Sequence, residues 1–145
     1  MTDRGDAYFL DANVVMYTVG AEHPLRDPCR RALRRAVDLR VPLITDAEVL
    51  QEILYRYYAI GRRETARSVY RHAVDLCDEV LPITGRGTAR ALELLDAHDR
   101  LTPRDAIHVA TMEAAGLRCL LSTDRDFDGL AAIERIDPAA FASGV

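Results

Sequence analysis

Short apolar runs alternate along the chain with longer stretches in which apolar residues recur at helical spacing. The apolar runs predict four buried strands and a fifth, edge strand, at residues 7–10, 42–44, 80–83, 119–122 and 132–136. The stretches between them predict five helices, at residues 28–39, 45–60, 63–77, 87–98 and 103–115. Strands that alternate with helices are typical of crossover connections, and the pattern therefore predicts an α/β fold.

The predicted sheet is mostly parallel, with four or five strands and with helices on both faces. A length of 145 residues predicts a single domain, residues 1–145, built around one apolar core. In open parallel sheets, ligands bind at the carboxyl ends of the strands. Polar residues at those ends are therefore the first candidates for function.

Two aspartates stand at such positions. Asp11 follows the first predicted strand, and Asp124 follows the fourth. Each carboxylate is expected at the rim of the core, on the edge of the sheet where ligands bind. Aspartate also favours turns, through side-chain hydrogen bonds to the backbone, and for either residue alone a turn is the better interpretation.

Glu52 lies in the second predicted helix, beside the apolar residues Val49 and Ile53. A carboxylate in that setting costs free energy unless it is paired, hydrogen-bonded or bound to a metal. Its neighbour Glu48 has a structural explanation, because Thr45 as N-cap and Glu48 three residues later predict a capping box. Glu52 has no such role, and the alternative is that its side chain turns sideways into solvent.

Asp105 lies in the first turn of the last predicted helix, for which Thr102 is the expected N-cap and Pro103 the first residue. A capping role and a favourable position on the helix dipole explain Asp105 fully. The helix after it is apolar enough to pack deep, so its first turn is also in a position to present Asp105 to the same cleft as the other acids. His108, in the same helix, is best interpreted as a packed, hydrogen-bonded core residue.

Carboxylates that converge on one cleft repel one another and raise one another's pKa unless a divalent cation balances them. Ligation by oxygen alone, without paired cysteines or histidines, indicates a hard cation. Mg²⁺ keeps several waters and commonly uses few carboxylates, so it is the expected ion, with Mn²⁺ as the alternative.

The basic residues narrow the class of protein. All nineteen are arginine, and the net charge is −4. The absence of lysine argues against a phospho-acceptor receiver domain and an aspartate-nucleophile phosphatase, since both families use a lysine near the phosphoryl group. A phosphate-loop NTPase is excluded because the chain has no Gly-rich loop that ends in Lys-Ser or Lys-Thr. Arginines crowd residues 26–40 and 56–71, and we interpret them as two solvated helix faces rather than as a basic rim.

The compartment follows from what the sequence lacks. No apolar run approaches the roughly 20 residues that span a bilayer, and the N-terminus lacks the order of a signal peptide. We therefore expect no membrane partner and a cytoplasmic location.

Three cysteines, Cys29, Cys77 and Cys119, are an odd number at wide spacings, which predicts buried thiols rather than disulfides or a zinc site.

Four segments together resemble the PIN-domain nucleases, and especially the VapC-type toxins of bacterial and archaeal toxin–antitoxin pairs. They are Leu10-Asp11-Ala12-Asn13, Glu52 in its helix, residues 103–110 and residues 122–127. Each segment is short, whereas their order and spacing are specific, and the resemblance covers essentially the whole chain.

The resemblance implies a flavodoxin-like, three-layer sandwich and a metal-dependent endoribonuclease. Its catalytic and metal-binding acids would be Asp11, Glu52, Asp105 and Asp124. Asn13 and Thr123 match positions that support the first and fourth acids, and Asp126 matches a less constant acid that helps hold a second metal or its waters. The family also implies RNA as substrate, a homodimer and a small antitoxin that covers the cleft. The alternative is a catalytically weak PIN-like module that binds RNA or protein.

Overall fold

The computed structural model describes residues 4–144. Five parallel strands form one sheet in the order β3-β2-β1-β4-β5. They are β1 (Tyr8–Leu10), β2 (Leu43–Asp46), β3 (Glu79–Leu81), β4 (Cys119–Leu121) and β5 (Glu134–Ile136). The five predicted strands and their parallel arrangement are confirmed, with bounds that differ by a few residues.

Within residues 4–144, seven α-helices and one short 3-10 helix (Arg125–Phe127) join and cover the strands. The α-helices are α1 (Ala12–Val19), α2 (Arg26–Asp38), α3 (Ala47–Ala59), α4 (Arg63–Leu76), α5 (Gly85–Ala97), α6 (Pro103–Ala115) and α7 (Pro138–Ala142). The five predicted helices, α2 to α6, are confirmed. Helices α1 and α7 were not predicted, because α1 is rich in β-branched residues that favour strands and α7 has only five residues.

Both faces of the sheet are covered. Successive residues of a strand point to opposite faces, and Phe9 and Leu10 of β1 are both fully buried, as are Leu120 and Leu121 of β4. Such continuous burial is typical of a parallel sheet between two helical layers. Strands β1 and β4 thus lie in the core, and the residues that follow them start from buried positions.

The start of α3 differs from the prediction. Strand β2 continues through Thr45, whose hydroxyl donates to the carbonyl of Leu10 at 2.9 Å, and Asp46 becomes the N-cap. The Asp46 carboxylate accepts from the backbone N–H of Val49 at 2.9 Å. The predicted capping box of Thr45 and Glu48 is therefore wrong, because Thr45 is held in the sheet.

The cysteines and the helices bear on two further predictions. All three cysteines are free thiols, but only Cys29 is fully buried, and Cys77 and Cys119 are half-buried. Burial raises the pKa of Cys29 and Cys77 to about 12, so neither forms a thiolate readily.

Between residues 4 and 144, no helix is both long enough and apolar enough to span a membrane.

Candidate metal centre

A cleft with a volume of about 440 Å³ opens at the carboxyl edge of the sheet. It lies where β1 and β4, which are neighbours in the sheet, give way to the loops that follow them. Its walls come from the start of α1, from α3, from the start of α6 and from the loop after β4. They consist of Asp11, Asn13, Glu52, Arg56, Thr102, Pro103, Arg104, Asp105 and Asp124. All four predicted acids thus line one cleft.

Asp11 is the most strongly fixed of these acids. It is the N-cap of α1, and one carboxylate oxygen accepts from the backbone N–H of Ala12 at 2.8 Å. The other oxygen accepts from the hydroxyl of Ser122 at 2.7 Å and from the side-chain amide of Asn13 at 3.1 Å. Only 5% of Asp11 is exposed, so its orientation is set by these bonds rather than by solvent.

The loops after β1 and β4 are joined by side chains. The carbonyl oxygen of the Asn13 side chain accepts from the backbone N–H of Thr123 at 3.2 Å, and the hydroxyl of Ser122 accepts from that of Asp124 at 3.0 Å. Asn13 and Ser122 are themselves hydrogen-bonded at 3.2 Å. This network links the first and fourth acids, and Thr123 contributes to it through its backbone.

Glu52 points into the cleft from α3, with 12% of its side chain exposed. Burial and the charge of Asp11 raise its pKa, against the opposing charges of Arg104 and Arg56. The guanidinium of Arg56 lies 3.4 Å from one Glu52 oxygen, and that of Arg104 lies 3.8 Å from the other. The alternative of a solvated Glu52 is therefore wrong, because the side chain is held between arginines and the other acids.

Asp105 lies in the first turn of α6 and also lines the cleft. Its backbone N–H donates to the hydroxyl of Thr102 at 3.2 Å, which confirms Thr102 as the N-cap of α6. Burial raises the pKa of its carboxyl to about 6, and the charges of Asp11 and Asp124 add to this against a hydrogen bond from Thr102. The capping explanation is correct for the backbone, while the carboxylate faces the other acids.

Asp124 and Asp126 differ in position. Asp124 is half-buried, lines the cleft and accepts from the backbone N–H of Asp126 at 2.9 Å. Asp126 is exposed, and the residues that line the cleft do not include it. The geometry thus brings together four of the five acids named from the sequence.

A buried histidine lies beside two of the acids, although it is not among the residues that line the cleft. His108 is fully buried, and its Nδ1 donates to the Asp46 carboxylate at 2.7 Å. Burial alone would lower the pKa of His108, but the hydrogen bond and charge of Asp46, together with Asp11 and Asp105, raise it to about 9. The interpretation of His108 as a hydrogen-bonded core residue is confirmed. Its position is more specific than that, since one ring nitrogen lies within 4.8 Å of ligand oxygens of both Asp11 and Glu52.

The sequence contained signals for two residues that the prediction missed. Asp46 ends strand β2 just as Asp11 follows β1, so the rule about strand ends applies to it equally. Ser122 follows β4 directly, whereas the apolar pattern predicts it as the last residue of that strand. Both are fully buried.

The side chains around the cleft fit a divalent cation. Four carboxylates offer oxygen ligands, which hard cations prefer, and the pKa values of two of them, Glu52 and Asp105, are raised. The Nε2 atom of His108 is buried without a hydrogen-bond partner within the described residues, so the histidine near Asp11 and Glu52 has one unsatisfied polar atom. A cation in the cleft would relieve the repulsion among the acids.

Comparison with known proteins gives two consistent results. The sequence profile of the PIN domain matches residues 8–133. The VapC ribonuclease Mb1869c of Mycobacterium bovis is 41% identical over 127 residues, which cover 88% of this chain and 97% of that protein.

Solved structures agree in fold. VapC20 of Mycobacterium tuberculosis, described as a Sarcin-Ricin loop cleaving toxin, superposes with a TM-score of 0.70 at 20% identity, over 88% of this chain and 98% of that one. A toxin–antitoxin complex from Klebsiella pneumoniae superposes with a TM-score of 0.65 at 17% identity, over 91% and 98%. The predicted PIN-like, three-layer fold is confirmed.

Proposed function

The chain belongs to the VapC ribonucleases of the PIN-domain family, and from this premise we propose that it is an endoribonuclease that hydrolyses RNA phosphodiester bonds in the acidic cleft. The observation that carries the proposal is the convergence of Asp11, Glu52, Asp105 and Asp124 from four distant segments. Burial and the charge of Asp11 raise the pKa of both Glu52 and Asp105, and shifts of this kind are common at functional sites.

The four acids would hold Mg²⁺ or Mn²⁺. A divalent cation bound there supplies positive charge to the phosphodiester and lowers the pKa of a coordinated water molecule. The bonds of Ser122 and Asn13 hold Asp11 in one orientation, so its carboxylate needs little reorganisation to act as a ligand. Glu52, which is held less rigidly between two arginines, is suited to accept a proton from the attacking water or to orient it.

Arg56 and Arg104 are the basic residues in the cleft wall. Each lies beside Glu52, and Arg104 also donates to Glu48 at 3.1 Å. A phosphate that enters the cleft meets these guanidinium groups first among the basic side chains that line it. We propose that they hold the RNA backbone, whereas most other arginines of residues 26–40 and 56–71 are exposed on helix faces away from the cleft.

The partners follow from family membership. Curated relatives are VapC ribonucleases, and the structural neighbours include a toxin–antitoxin complex. We therefore propose that this chain is the toxin of such a pair, that a cognate antitoxin covers the cleft, and that the protein acts in the cytoplasm. The homodimer and the supporting role of Asp126 stay predictions.

Cleavage of a mixed RNA pool tests the proposal. The wild type should cleave RNA with Mg²⁺ or Mn²⁺ and lose this activity in excess chelator. Asp11→Asn should lose at least about 100-fold in rate, while keeping its fold by circular dichroism. Asp99→Asn, which changes an exposed carboxylate outside the cleft, is the matched control and should keep full activity. Full cleavage by Asp11→Asn would refute the proposal, and RNA binding without any cleavage would favour the binding module.

A further inference from the structure

The two ring nitrogens of His108 differ, because one forms a hydrogen bond and the other has no hydrogen-bond partner within the described residues. Nδ1 donates to the Asp46 carboxylate at 2.7 Å, which leaves Nε2 as the only nitrogen able to bind anything else. Nε2 is buried, and no hydrogen-bond partner for it exists among residues 4–144. Such an atom loses its hydration without compensation, which is costly unless another group binds it.

Asp46 is fixed as firmly as the histidine that it contacts. It is fully buried, and its second oxygen caps α3 through the backbone N–H of Val49. Neither side chain has room to turn toward solvent. Histidines that bind metals through one nitrogen commonly donate the other N–H to a carboxylate, and Asp46 and His108 already have this arrangement.

We propose that His108 is a nitrogen ligand of the cation in the acidic cleft, with Asp46 as the carboxylate that orients it. One ring nitrogen of His108 and single oxygens of Asp11 and Glu52 all lie within 4.8 Å of one another. Ligands that bind one ion at about 2.1–2.5 Å lie up to about 5 Å apart, so this spacing is compatible with a shared ion. The inference rests on the proposed metal site and adds the identity of a ligand to it. The raised pKa of His108 belongs to the protein without a cation, and a cation that binds Nε2 takes the place of the proton on that nitrogen, which is released to solvent.

A nitrogen ligand changes which ion the site prefers. Mg²⁺ favours oxygen ligands alone, whereas imidazole suits first-row transition ions. The cleft should therefore bind Mn²⁺ more tightly than Mg²⁺, and Zn²⁺ should bind through the same histidine. A site made only of carboxylates would give a smaller difference in affinity between Mn²⁺ and Mg²⁺.

Nitrogen NMR of the wild type tests the ligand directly, without any substitution. Zn²⁺ is the probe because it is diamagnetic. One equivalent should move the Nε2 resonance of His108 to the position of a metal-bound nitrogen. The other three histidines, His23, His72 and His98, serve as internal controls and should not move.

Two variants give a second, independent test through Mn²⁺ binding, measured by electron paramagnetic resonance. His108→Asn should weaken Mn²⁺ binding at least about tenfold, and Mg²⁺ binding, measured by competition, by less than about threefold. Asp46→Asn should weaken Mn²⁺ binding about 10–100-fold while α3 keeps its N-cap, because Asn caps helices as well as Asp does. His72→Asn, which changes an exposed histidine, should have no effect.

The outcomes separate this inference from the proposed function. If Zn²⁺ does not shift the Nε2 resonance of His108 and Mn²⁺ binding is lost only in Asp11→Asn, the metal site stands and His108 is not a ligand. If the wild type binds neither Zn²⁺ nor Mn²⁺ in the cleft, both the site and the inference are wrong. Equal loss of Mn²⁺ and Mg²⁺ binding in His108→Asn would also overturn the inference that His108 is a ligand. A purely structural role of His108 predicts that the variant weakens the binding of both ions alike.

Discussion

Asp105→Asn should stabilise the metal-free protein at neutral pH. The carboxyl of Asp105 has a pKa of about 6, compared with an ordinary value of 3.8, because burial and the charges of Asp11 and Asp124 disfavour its ionised form. The folded state therefore binds more protons than the unfolded state between pH 4 and pH 6. The free energy of unfolding falls as the pH rises through this range, and the full penalty is present above it.

The size of the effect follows from the same values. The difference in pKa corresponds to at most about 3 kcal/mol. Asp105 is only half-buried, and solvent screens the repulsion, so we expect Asp105→Asn to gain about 1–2 kcal/mol at pH 7.5 in chelator. At pH 3.5, where the carboxyl is protonated in the folded protein, the gain should vanish.

Urea denaturation in EDTA, followed by circular dichroism at both pH values, measures this gain. Asp99→Asn is the control, since its carboxylate is exposed and lies outside the acidic cleft. Addition of Mn²⁺ at about 100 times its Kd should stabilise the wild type by about 2.7 kcal/mol and Asp105→Asn by less. A variant that is no more stable than the wild type at pH 7.5 would refute the claim that burial and the neighbouring acids disfavour the charged form of Asp105.

Two further predictions concern the groups around the acids. Ser122→Ala removes the hydroxyl that donates to the Asp11 carboxylate at 2.7 Å and accepts from the backbone N–H of Asp124. It should lower the free energy of unfolding by about 1–3 kcal/mol in urea denaturation. An unchanged free energy of unfolding would contradict a stabilising role for these two hydrogen bonds. Arg104→Gln should weaken RNA binding and reduce the slope of log affinity against log salt by about 0.7, measured by fluorescence anisotropy in an Asp11→Asn background. An unchanged slope would mean that Arg104 does not contact phosphate.

The fold could be predicted well because its evidence is local. Apolar runs and helical periodicity reveal the strands and the amphipathic helices, and their alternation fixes the parallel arrangement. Helix α1 was missed because its β-branched residues favour a strand, while Asp11 as N-cap and packing on both sides make it helical. Tertiary contacts decided this element, and no local pattern reports them.

The site could be predicted in part, for a related reason. The rule about strand ends indicated Asp11 and Asp124. Glu52 was indicated as a carboxylate among apolar residues and Asp105 by the first turn of an apolar helix, and the resemblance to a family joined the four into one site. None of these signals revealed that His108 donates to Asp46, since these residues are 62 positions apart and each has an ordinary local explanation. Asp46 is not among the predicted site residues, because the sequence pattern predicts Thr45 as the N-cap and begins α3 one residue too early.

The central claim is that the acidic cleft holds a divalent cation, and anomalous scattering from a crystal soaked in Mn²⁺ tests it most directly. The account predicts a manganese peak between the carboxylates of Asp11, Glu52 and Asp105, and its loss in Asp11→Asn. A map with no peak in the cleft at saturating Mn²⁺, or with peaks only elsewhere on the surface, would contradict it.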